Sequence, residues 1–135
     1  MDGREASQTT TPDWTRILGE SLKKTGTWPT YQKLAEYAKR EPDDLVIRGH
    51  QEILRNQIVR ELLATSRGLA TVPRHSPEFL SDFDRFDLDA QEGYLISLID
   101  GRLSIESLLK LSPLDHFSTL FNLARLRLQG AITLP

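Results

Sequence analysis

Residues 88–135, LDAQEGYLISLIDGRLSIESLLKLSPLDHFSTLFNLARLRLQGAITLP, carry the densest set of local structural signals in the chain. Asp89 and Glu92 have the spacing of a capping box, in which each side chain accepts the other residue's backbone N–H, so they open a helix that runs to about Asp100. Tyr94, Leu95, Leu98 and Ile99 are its expected buried face, and Gly101 closes it. Ser104 caps a short second helix to about Leu111, with Leu103 placed before the cap to pack onto Leu108. Ser112 and Pro113 start a third helix, which reaches about Gln129. Phe117, Leu120, Phe121, Ala124 and Leu128 form its apolar face, and Gly130 supplies the left-handed residue that stops it. Residues 131–134 are short and compatible with a strand. The junction at Leu111, Ser112 and Pro113 is too short to lay the second and third helices antiparallel along their whole lengths, so a steep crossing is expected. A short helix, a tight turn, a longer helix and an extended tail is the order of a helix-turn-helix followed by the start of a wing.

Working back from this segment, residues 69–87 hold Pro73 and Pro77 and no sustained apolar period, and read as a connector with room for one short strand at 68–72. Phe79, Phe83 and Phe86 lie in it at spacings of four and three, among Asp82, Asp84 and Asp87. Before it, Ile47, Leu54, Ile58 and Leu62, with Leu45, Ile53, Val59 and Leu63 alongside, predict a helix over 44–66 that Asp43 and Asp44 help to start and Gly68 ends. Gly49 costs a helix interior roughly 1 kcal/mol relative to Ala, so this helix begins either at Asp44 or after Gly49. Trp28, Tyr31, Leu34, Ala35 and Ala38 predict a helix over 28–40 that Pro42 stops. A first helix starts at Thr11, Pro12 and Asp13, carries Trp14, Ile17, Leu18 and Leu22, and ends at Gly26. Residues 1–11 are polar apart from Met1 and Ala6 and are expected to form a loose tail.

The expected fold is therefore mainly α. After the tail 1–11, a helical amino-terminal part, 12–68, packs on a winged-helix-like three-helix unit, 88–135, across the connector 69–87, with at most one or two short strands. The aromatic-then-alanine stripe of the helices at 28–40 and 44–66 has a tetratricopeptide flavour, but the 34-residue period is not repeated.

Composition narrows the chemistry. The 135 residues include no cysteine, which excludes disulfides, thiolate metal sites and cysteine nucleophiles. Seventeen Lys and Arg against nineteen Asp and Glu leave a formal charge of −2, so no global field draws the chain to nucleic acid or anionic lipid. Polar residues 1–12 and the lack of any 18-residue apolar run predict neither a secretory leader nor a membrane span, and a cytoplasmic location. Asp82, Asp84, Asp87, Asp89 and Glu92 resemble a calcium loop, yet counting from Asp82 the sixth and twelfth places hold Asp87 and Gly93 where a Gly and a Glu are required. His50, His75 and His116 have no metal-ligand spacing, Asp115 and His116 are helix neighbours that point apart, and the glycines are isolated. No catalytic residue, cofactor or metal is expected.

The residues Leu88, Asp89, Glu92, Gly93 and Tyr94, then Ile99 to Arg102, then Leu108, Leu109 and Leu111 to Leu114, resemble a small winged-helix-like segment that recurs in bacterial signalling and motility proteins, often beside response-regulator modules. More distantly they are similar to PqqD-like peptide-binding domains. The resemblance covers roughly the last 50 residues and implies a binding module rather than an enzyme. PqqD-like domains dock peptides along preceding strands, whereas residues 73–86 here have little strand character. DNA binding would ask the third helix to open with Arg, Lys, Asn or Gln. It opens instead with Leu114, Asp115, His116 and Phe117, and residues 80–135 hold five basic against eight acidic side chains. The sequence thus reads as a protein–protein interaction or regulatory adaptor module of a bacterial cytoplasmic signalling system, with a helix-turn-helix DNA-binding regulator as the alternative. The expected anchors for a protein partner are Phe79, Phe83, Phe86, Leu114, His116 and Phe117.

Overall fold

Side-chain caps fix where the helices begin. In a computed structural model of the chain, which describes residues 13–64 and 67–135, Asp13 accepts the Arg16 N–H at 3.3 Å and opens α1 (Trp14–Thr25). The tail 1–11, the start signal at Thr11 and Pro12, and the helix end at Ser66 lie outside the described residues. Gly26, at φ 89°, turns the chain into α2 (Thr27–Arg40). Buried Thr30 donates its hydroxyl to Gly26 O at 2.7 Å and accepts from Ser21 Oγ at 2.7 Å, fastening the two helices. Asp44 Oδ1 accepts the N–H groups of Val46 and Ile47 at 2.9 and 3.3 Å and starts α3 (Leu45–Ala64). That helix begins before Gly49, because a good cap offsets one poor helix former.

The chain divides inside α3 into two compact units, Met1–Leu54 and Arg55–Pro135. In the first, Trp14, Leu18, Leu34, Ile47 and Leu54 form the core, with Tyr31 and Ala38 against it. Tyr37 meets the Trp14 ring edge-on at 4.8 Å.

In the second unit, residues 69–87 carry defined elements. A 3-10 turn at Gly68–Ala70 stands where a strand at 68–72 was expected. The reason is where its hydrogen bonds go: Thr71 O accepts the Ile105 N–H at 2.8 Å and Thr71 Oγ1 accepts the Arg67 N–H at 2.7 Å, so this stretch serves the start of a later helix instead of a ladder. Strand pairing starts at β1 (Arg74–His75), antiparallel to β2 (Ile132–Thr133), with Arg74 opposite Thr133 and His75 opposite Ile132. Then come α4 (Pro77–Ser81) and a 3-10 turn at Phe83–Arg85.

The helices α5 (Ala90–Leu98), α6 (Ile105–Leu111) and α7 (His116–Leu128) follow. The capping box of Asp89 and Glu92 is formed in both directions, and Ser104 caps α6 through the Ser107 N–H. Tyr94, expected in the core, is half exposed; Ile96 joins Leu95 and Ile99 there, which leaves the phenol in water. Ser112 and Pro113 do not start α7. Pro113 holds Ser112 extended, at φ −71° and ψ 136°, so Ser112 ends α6 and Asp115 becomes the cap, accepting the Ser118 N–H at 3.1 Å. On α7 the buried set is Thr119, Phe121, Asn122, Leu123, Ala124 and Leu126; Phe117 and Leu120 are half-buried and Leu128 is exposed, a wider core than the expected single stripe. Gly130, at φ 85°, closes α7 as expected: its N–H reaches Arg127 O at 3.0 Å and the Ala131 N–H reaches Leu126 O at 2.9 Å, the two bonds of a Schellman turn. Seven α-helices and one two-stranded sheet among the described residues make the chain mainly α.

Replacing Phe121 by Ala should lower stability by about 3–5 kcal/mol in urea titration, because it opens a cavity in the second unit, whereas Leu128→Ala should cost under about 0.5 kcal/mol. Equal losses would mean that the buried face of α7 is misassigned.

Candidate functional site

The six residues expected as partner anchors fall in two places, both in the second unit. The first is the segment from β1 through the 3-10 turn. Ser76, buried, holds its start: the backbone N–H donates to Ala131 O at 2.9 Å, Oγ donates to Gly130 O at 2.6 Å, and the same Oγ accepts the Phe79 N–H at 3.0 Å to cap α4. Phe79 then sits at the centre of a ring cluster, with His75 at 5.3 Å, Phe86 at 5.5 Å edge-on and Phe83 at 6.5 Å. His75 Nε2 lies 2.8 Å from Ile96 O and must donate to it, since a carbonyl only accepts; the ring is thereby oriented. The Arg85 guanidinium covers the Phe86 ring at 5.1 Å. Phe79 and Phe86 are half-buried, while Phe83 is 62% exposed. Leu80, which the sequence reading did not single out, is 66% exposed; a five-residue helix is too short for any period to mark it.

Two shallow clefts adjoin this segment. One, of about 420 Å³, is lined by Ser76, Glu78, Arg85, Arg127, Gln129 and Ile132 among others. The other, of about 400 Å³, is lined by Arg74, His75, Leu80, Ile99, Asp100 and Gly101. Glu78, Asp82, Asp84 and Asp87 are exposed around the rings. Among the described residues these carboxylates do not gather into a group that could hold a metal ion.

The second place is the α6–α7 junction. Leu114 is half-buried and its N–H donates to Ser112 Oγ at 3.1 Å; His116 is exposed at the first position of α7. Phe117 is half-buried and stacks on Phe121 at 6.4 Å, with the Arg55 guanidinium 4.6 Å from the Phe121 ring and 5.9 Å from that of Phe117. Ser118, through its side chain and then its N–H, holds the Asp115 carboxyl below the usual carboxylate range. The N–H groups of Arg102 and then Leu103 do the same for Asp100. The junction between α6 and α7 therefore presents an ionised carboxylate. Of α7 only His116 and Leu128 are exposed; Ser118, Arg125 and Arg127 are half-buried.

A buried polar cluster joins α5 to α7. Glu92 is 1% exposed; Oε1 accepts the Asp89 N–H at 3.1 Å, Oε2 accepts Gln129 Nε2 at 2.8 Å, and Arg125 Nε stands 3.6 Å from Oε2. Arg125 also reaches Asp89 Oδ2 at 3.6 Å. Arg125 is thus engaged within the protein by two carboxylates. This arrangement is a fastening: each oxygen of the carboxylate already has partners, so it ties α5 to the end of α7. From sequence Glu92 was legible only as half of a cap.

No family model, curated protein or solved structure matches the chain. Among the described residues no helix is long and apolar enough to cross a membrane.

Arg125→Ala, which leaves the Glu92 carboxylate with one fewer partner in a nearly dry site, should destabilise the chain by about 1–3 kcal/mol in urea titration. Arg127→Ala, on the same helix outside the cluster, should stay within about 0.5 kcal/mol of wild type; matching losses would remove the special role of the cluster.

Proposed function

We propose that the chain is a non-enzymatic protein-interaction module, acting as an adaptor or regulatory part of a bacterial cytoplasmic signalling system. The observation that carries this reading is the exposure of Leu80 and Phe83 on a segment whose backbone is anchored by Ser76 and whose inner rings, Phe79 and Phe86, are already packed. An apolar pair presented in this way loses little conformational entropy when a partner covers it, and aromatic anchors carry much of the energy of such contacts. The exposed carboxylates of Glu78, Asp82, Asp84 and Asp87 favour a partner with a basic rim. The resemblance of residues 88–114 to a winged-helix-like segment of signalling proteins supports the same reading, and three helices followed by β2 are compatible with it. Leu114, His116 and Phe117 form a second, smaller face at the elbow of that unit.

The test compares immobilised wild-type chain with a Leu80→Asp, Phe83→Asp double variant of unchanged thermal midpoint. Proteins retained from bacterial lysate by the wild type should be lost from the variant, and a labelled DNA duplex should not shift at low salt. Retention by the variant, or a salt-sensitive DNA shift, would overturn the reading.

A further inference from the structure

Within the first unit, the outer side of α3 carries Leu45, Val46 and Ile53, exposed at 77%, 57% and 63%. At about 100° per residue they share, with Gly49, one arc roughly 100° wide. Ile47 and Leu54 point the other way and bury against Trp14, Leu18 and Leu34. This part of α3 is apolar on two sides, and the described residues cover one of them. Gly49 stands in the middle of the uncovered side. Glycine is the poorest ordinary residue for a helix interior, yet nothing among the described residues calls for it: its φ is not positive, and a Cβ there would meet none of their atoms within 4 Å. What a bare Cα offers at that point is close approach of another backbone.

We propose that this face is a self-association surface, on which α3 of a second copy crosses antiparallel over Gly49. A two-fold contact makes one patch meet itself. Leu45 and Ile53 lie about 6 Å to either side of Gly49 along the helix, so each Leu45 meets the second copy's Ile53. Arg48 and Glu52, both exposed, border the same margin of the face. An antiparallel crossing turns that margin onto itself and sets Arg48 of each copy beside Glu52 of the other, a charge match made twice. The chain's own amino-terminal stretch is a poor cover, since residues 1–12 offer only Met1, Ala6 and Pro12 as apolar side chains. The surface is separate from Leu80 and Phe83, which belong to the other unit.

Because the chain has no cysteine, Gly49→Cys introduces a single thiol. Under mild oxidation this variant should form a covalent dimer of twice the 15.4 kDa chain, while Gln32→Cys, exposed on α2, should not, because a disulfide needs Cα atoms within about 7 Å. In sedimentation equilibrium the wild type should weigh two chains and Ile53→Asp one, with unchanged circular dichroism. Arg48→Glu should weaken the dimer about tenfold, and adding Glu52→Arg should restore it. A monomeric wild type, which would leave the face to a different protein, overturns the proposal. So does cross-linking of Gly49→Cys no faster than of Gln32→Cys, or a dimer that survives Ile53→Asp.

Discussion

A carboxylate taken almost wholly out of water must be matched at each of its oxygens, and in this chain that requirement organises the second unit. Glu92 meets it with the Asp89 N–H, Gln129 and Arg125, and in doing so joins the first turn of α5 to the last turn of α7. Gln129 is followed at once by Gly130, whose left-handed turn sends the chain back as β2. The direction of β2 decides what β1 can pair with, and the carbonyls of Gly130 and Ala131 are the acceptors that hold Ser76. Ser76 in turn caps α4 and sets the position of Phe79 and the rings around it. The exposed pair Leu80 and Phe83 is thus linked to the buried Glu92 through a short series of hydrogen bonds, each using a group that would otherwise be unpaired.

The same series bears on the two rival readings of the carboxyl-terminal helices. A helix that enters a DNA groove must keep one long side free. Here α7 is sheathed on most sides by its own unit, with Arg125 turned inward toward Glu92. A helix so used is a core element, and in the reading proposed above recognition falls to the less regular segment between β1 and α5. Loops and short turns held by a rigid scaffold are where binding residues commonly sit.

How much of this was legible in the sequence follows from how local each feature is. The capping box of Asp89 and Glu92, the cap at Ser104 and the stops at Gly26 and Gly130 depend on residues within one turn, and the spacing of side chains reveals them, whereas α5, expected to run to about Asp100 and close at Gly101, ends at Leu98 because Ile99 is already extended. The start of α7 was misread because Ser112 is a good cap in isolation; Pro113 after it forces an extended backbone and passes the role to Asp115. The strand at Arg74–His75 was out of reach, because two residues acquire a ladder only through the partners Thr133 and Ile132 at the far end of the chain. At the site, the three phenylalanines could be named from their spacing. Ser76, which holds them, could not, since its partners come from the far end of the chain, and Leu80 had no period to mark it. The amino-terminal unit showed the reverse case: its apolar positions were read correctly, but which of them stay outside, Leu45 and Ile53, emerged only from the packing.

The account rests on the claim that the segment bearing Leu80 and Phe83 is held ready by the Ser76 contacts before any partner arrives. Amide hydrogen exchange on the free chain, wild type against Ser76→Ala, tests it most directly. The account predicts slowed exchange of the Phe79, Leu80 and Phe86 amides in the wild type and a marked loss of that protection in the variant, with α1 and α2 unaltered. Exchange of these amides at unstructured-peptide rates in the wild type would contradict it.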